Sequence, residues 1–153
     1  MVLSKDFIID KVTKQFSGLK VDKNWGEIGL FYNPDNLLKK GIYLLTFKEK
    51  NGANDQSSKL DQDGFYRLNL GISKKSFIEL FGSIPKRPPA GGVIDMNFDF
   101  SQTDTIMPHP IYGWMAWICV VNPTEASFNK ILPLIEEGYN LSLKKYAKKI
   151  SIK

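Results

Sequence analysis

The chain of 153 residues holds one cysteine, Cys119, and one histidine, His109. A single cysteine excludes an intrachain disulfide framework and leaves a metal-cysteine cluster without partners. One histidine without a His-Glu or Cys-His spacing gives zinc no ligand set, and no Gly-x-Ser-x-Gly places a nucleophile. No cofactor and no metal are therefore expected. Arginine is also scarce. Only Arg67 and Arg87 stand among the 21 basic residues, whereas nucleic-acid readers lean on arginine for bidentate contacts. No apolar run approaches the length of a membrane span, and the first residues, Met-Val-Leu-Ser-Lys-Asp, carry charge before any apolar stretch develops. No membrane partner and a cytoplasmic location are the expectations from these absences. Gly91-Gly92 lacks the lysine and the strand-to-helix setting of a phosphate loop.

What is present reads as one α+β domain over residues 1–153, of ordinary globular composition with 42% apolar and 24% charged residues. Ser4 is placed to cap a first helix in which Phe7, Ile8, Val12 and Phe16 recur at helical spacing, and Gly18 ends it. From Leu19 to Tyr32 the pattern becomes strand-like, with Trp25, Glu27, Gly29 and Phe31 on one face. Asn33-Pro34-Asp35-Asn36 turns the chain into a second strand, Gly41 to Lys48, that puts Ile42, Leu44 and Thr46 opposite Tyr43, Leu45 and Phe47. Glu49 to Asp63 is polar and reads as a mobile loop. Phe65 to Ile72 is a third strand, with Tyr66, Leu68, Leu70 and Ile72 on one face and Arg67, Asn69 and Gly71 on the other.

Ser73 caps a short helix expected to turn Phe77, Ile78, Leu80 and Phe81 inward before Gly82 closes it. The alternation of Ile94, Met96, Phe98 and Phe100 predicts a short edge strand, and Trp114 to Val121 predicts another. Thr124 then caps a long last helix with one apolar stripe, Phe128, Ile131, Leu132, Ile135, Tyr139, Leu143, Tyr146 and Ile150, interrupted by Pro133. The expected architecture is a curved antiparallel sheet of about five strands with the N- and C-terminal helices on one face.

Three features carry chemistry. The segment Met107-Pro-His-Pro-Ile-Tyr-Gly-Trp114 holds His109 between two prolines, a stiff turn feeding an aromatic strand. Tyr112, Trp114 and Trp117 offer flat faces for a planar ligand, but the two tryptophans are three apart, so one regular strand sends them to opposite sides. Arg67 and Asn69 share a strand face. A guanidinium there needs an anion, either a ligand's or an internal carboxylate such as Glu27, Asp99 or Asp104. Net charge is +5, concentrated in the last helix at Lys144, Lys145, Lys148 and Lys149, where lysines also offset the helix dipole. Cys119, inside Ile-Cys-Val-Val, reads as a small buried hydrophobe.

In order along the chain, Tyr66-Arg-Leu-Asn-Leu-Gly-Ile-Ser73, Phe77 to Gly82, Met107-Pro-His-Pro-x-Tyr-Gly113 and Val121-Asn-Pro-Thr124 resemble a family of small bacterial proteins of unknown function. The C-terminal third, a tryptophan-bearing strand and a helix reading Leu134-Ile-Glu-Glu-Gly-Tyr-Asn-Leu141, is more distantly similar to MmcQ/YjbR-type proteins. That likeness implies an antiparallel sheet flanked by helices and a DNA-binding label. The leading expectation is a non-enzymatic binding protein with a concave site for a small anionic or planar ligand, formed by Arg67, Asn69, His109, Tyr112 and one of Trp114 and Trp117. The alternatives are DNA or RNA binding through the four lysines, and a hydrolase or transferase using His109. The last needs a second catalytic group that the sequence does not supply.

Overall fold

The computed structural model describes residues 1–152. The first helix, α1 (Lys5–Gln15), starts where expected, with the Ser4 hydroxyl accepting from the Phe7 N–H at 3.1 Å. Ile8 and Val12 are buried while Phe7 stays half-exposed. The stretch read as one strand is two, β1 (Leu19–Asn24) and β2 (Glu27–Tyr32), paired through a two-residue turn at Trp25-Gly26. Gly26 has φ +77°, a conformation glycine adopts without steric cost, which lets the turn close.

The strand β3 (Ile42–Lys48) pairs antiparallel with β2, as the turn composition predicted, but with a bulge. Leu30 opposes Leu45 and Phe31 opposes Tyr43, so Leu44 is the extra residue. Leu44 and Leu45 are consequently both buried, and Tyr43 and Thr46 share a face. Strict alternation had put them on opposite sides. The strand β4 (Arg67–Gly71) follows, then α2 (Lys74–Phe81), which Ser73 caps. Phe77 is buried, but Ile78 and Leu80 face outward, against the sequence expectation.

Residues Ile94 to Phe100 form no strand. Ile94 and Phe100 are buried as anchors of an irregular segment, and the sheet edge is taken by β5 (Met107–Pro108), tolerable for a proline because an edge needs no second partner. A single 3-10 turn, Gly113–Met115, precedes β6 (Trp117–Val121). The last strand therefore starts three residues later than its pattern suggests. The helix α3 (Glu125–Ser151) is capped by Thr124 and contains Pro133.

The sheet, expected with about five strands, has six, all antiparallel, in the order β1-β2-β3-β4-β6-β5. One face meets the helices: Leu45, Phe47, Leu68, Leu70, Ile118 and Val120 pack with Ile8 and Val12 of α1 and Phe128, Ile131 and Ile135 of α3. The helix approaches closely at Gly138, where a Cβ would fall 2.9 Å from the Gly71 carbonyl oxygen. On the opposite face, Thr46, Arg67, Asn69, Trp117 and Cys119 lie under two loop segments rather than a helix. Among the described residues no helix is long and apolar enough to cross a membrane.

Candidate functional site

The polar face begins with the alternation of β4. With Leu68 and Leu70 committed to the helices, Arg67 and Asn69 must point the other way. Arg67 is 1% exposed, and each of its five N–H groups has a neighbour. Nε donates to Asn69 Oδ1 at 2.7 Å, Nη1 to Asp55 Oδ1 at 2.9 Å and Ser58 Oγ at 3.0 Å, Nη2 to Asp55 Oδ2 at 2.6 Å. The remaining Nη2 contact is His109 Nε2, 3.2 Å away. The anion that Arg67 requires is thus internal, and it is Asp55 rather than Glu27, Asp99 or Asp104. Burial resists ionisation of Asp55, but the hydrogen bonds and charge of Arg67 outweigh it and hold the carboxyl below its ordinary range.

Asp55 sits on a tight turn, Gly52 to Asp55, in the loop between β3 and β4. That loop folds onto the sheet: Ser58 and Leu60 are buried, and the Asn51 side chain accepts from the Leu60 N–H. Its polar composition reads as a mobile loop and gives no sign of these buried anchors. Asn69 passes the network on, donating from Nδ2 to Thr46 Oγ1 at 3.0 Å.

The Pro108-His109-Pro110 turn is fixed from both sides of its histidine. The His109 N–H donates to Trp117 O at 2.9 Å, and its carbonyl accepts from the Gly113 N–H at 2.8 Å. The ring Nδ1 receives the N–H groups of Ile111 and Tyr112, each at 3.1 Å. With Arg67 at Nε2, three donors converge on a ring that has one lone pair when neutral and none when protonated. Burial first, and the Arg67 charge second, hold its pKa well below 6.5. At 3% exposure, with Nδ1 accepting from two backbone N–H groups and Nε2 against Arg67, the His109 ring clamps its own turn. Burial likewise pushes the Cys119 thiol up to about 12, which leaves it unreactive.

Above this floor lies a cavity of about 530 Å³. It brings together Arg67, Asn69, His109, Tyr112 and Trp117 of the six residues nominated by the sequence. Trp114 is not among them. It lies in the 3-10 turn with the Arg87 guanidinium 4.9 Å over its ring, and Ala116, in the left-handed region at φ 64°, resets the chain so that Trp117 begins β6 facing the cavity. Lys144, Lys145, Lys148 and Lys149 are exposed near the end of α3 and do not border the cavity.

Sequence reasoning missed Tyr43, Thr46, Lys48, Asp55 and Met115, and it named Glu27 only as a partner for Arg67. The bulge hid Tyr43 and Thr46, and Asp55 belongs to a loop without periodicity. Tyr43 and Tyr112, 48% and 49% exposed, rise at the rim. Because Arg67 and Asp55 cancel, and Glu27 and Lys48 are opposite in sign, the lining carries no net charge with His109 neutral. Among the described residues no group of three His, Cys, Asp or Glu side chains is placed to hold a metal ion.

A model described as "Family of unknown function (DUF6194)" matches residues 3–151. No curated protein and no solved structure matches the chain.

Proposed function

For this chain, which belongs to that family of unknown function, we propose the binding of a small, flat, net-neutral molecule, without acid–base chemistry at His109. The observation that carries this reading is the 530 Å³ cavity on the helix-free face of the sheet, within the size range of small-molecule sites and lined by Trp117, Tyr112 and Tyr43. Its polar floor is internally paired, so the cavity is pre-formed and a ligand need not pull buried groups apart. The anionic ligand suggested by Arg67 in the sequence is not favoured, because Asp55 already occupies the guanidinium fork. The planar half of that expectation carries over. Indole and benzamide as probes in calorimetry should bind wild type, and Tyr112→Ala with Tyr43→Ala should weaken binding about tenfold or more, given the usual worth of aromatic stacking. Equal binding by the double variant, or none by wild type, would reject the site.

A second reading, nucleic-acid binding, is favoured by one observation: Lys144, Lys145, Lys148 and Lys149 are exposed on one helix without an ion-pair partner among the described residues. The MmcQ/YjbR likeness of the C-terminal third points the same way. Gel-shift affinity that falls steeply with salt, and is lost when the four lysines become glutamine, is the expected outcome. Salt-insensitive retardation would remove this reading.

A further inference from the structure

The cavity's two charged walls narrow the ligand class. Glu27 and Lys48 are directly opposed in the β2–β3 register and both face the cavity. Residues so opposed stand near enough for their charged ends to meet, and opposite charges there ordinarily pair. Here they do not: among the described residues neither is within ion-pair distance of an opposite charge. Lys48 instead extends towards the loop, its Nζ lying 3.2 Å from where a Cβ on Gly52 would stand. A negative group and a positive group, neither in a contact ion pair and the positive one acting on Asp55 only at longer range, therefore border one aromatic-walled space. Two residues before Lys48 on the same strand, and opposite Gly29, Thr46 accepts from Asn69, which leaves its own hydroxyl proton to donate into the cavity.

We propose, on the basis of the binding reading above, that this pocket takes a free amino acid with a flat or unbranched apolar side chain. A zwitterion carries both charges on one carbon, so its ammonium meets Glu27 while its carboxylate meets Lys48 and the Thr46 hydroxyl. Its side chain lies against Trp117, Tyr112 and Met115. Such a ligand adds no net charge to a lining that has none, and it gives each wall the partner it lacks. A peptide holds its two charges on different residues and cannot bridge neighbouring strands in this way.

The test is calorimetry with L-phenylalanine, L-tryptophan and L-methionine beside phenylalaninamide, which lacks the carboxylate, and N-acetylphenylalanine, which lacks the ammonium. Free amino acids should bind about tenfold or more tightly than either blocked form, the usual scale of one charge-assisted contact. Lys48→Met should erase the preference over the amide alone, and Glu27→Gln the preference over the acetyl form alone. Both variants should melt near wild type. Equal binding of free and blocked forms, or unchanged preferences in the two variants, would overturn the proposal. Indole and benzamide separate the two levels. If they bind and no amino acid binds better, the zwitterion fails while the pocket stands; if nothing binds, both fail.

Discussion

Removing the Asp55 carboxylate leaves Arg67 buried with two N–H groups facing no acceptor. An uncompensated buried charge is among the costliest single defects, so Asp55→Ala should lose about 3–5 kcal/mol in urea unfolding, and Asp55→Asn less because one acceptor remains. Acetate should then restore thermal stability to Asp55→Ala and do nothing for wild type, since only the variant has a vacant guanidinium fork beside a cavity. A loss under about 1 kcal/mol would mean that water replaces the carboxylate freely. His109 offers a cleaner readout. The chain has a single histidine, so one ring C–H resonance reports its titration, and that signal should stay unchanged as pH falls through 6.5 while the protein remains folded. At this scale the sequence was informative about which residues need partners and silent about who they are. Arg67 and Asn69 share a face by strand alternation alone. Asp55 reaches them from a non-periodic loop 12 residues away, a pairing that no local pattern encodes.

Elements were legible wherever a cap coincided with a period. Ser4, Ser73 and Thr124 each begin a helix in the structure as their spacing predicts. The misses share a cause, which is that alternation carries no mark where a strand is interrupted. Asn24-Trp25-Gly26 turns the chain inside a stretch whose alternation runs on without a break, and the Leu44 bulge adds one residue inside an apolar run that looks regular. One contact between elements was equally invisible. Glu137 of α3 accepts from the Ser73 N–H at 2.8 Å and the Ser76 hydroxyl at 2.7 Å, so a long helix caps the start of a short one. Burial opposes the charge on Glu137, but these bonds prevail and lower its pKa. Glu137→Ala should cost about 1 kcal/mol, the usual worth of a cap, and should increase hydrogen exchange in the first turn of α2 above that of β4. Uniform exchange across the sheet and α2 would show that the contact does not order the short helix.

For the molecule as a whole, these groups make acid the direction of instability. Asp55 and Glu137 have folded pKa values below their ordinary 3.8 and 4.5, so their contribution is present above those values and disappears as pH falls through the folded ones. His109 acts higher. Its folded pKa lies well below 6.5, so between the two the unfolded chain binds a proton that the folded one refuses. Stability should accordingly be level above pH 6.5 and decline below it with a limiting slope of about 1.4 kcal/mol per pH unit, the value for one proton. The decline should steepen once the carboxylates join. His109→Asn separates the two windows, because an amide oxygen still accepts from the Ile111 and Tyr112 N–H groups but does not titrate. Its urea midpoints should stay level to about pH 4.5, starting from a lower plateau. A variant that declines from 6.5 as wild type does would place the proton uptake elsewhere and remove the buried histidine from the acid response. A wild type that stays level through the same interval would show instead that the folded protein accommodates the imidazolium, and the three converging donors would then have to rearrange around it.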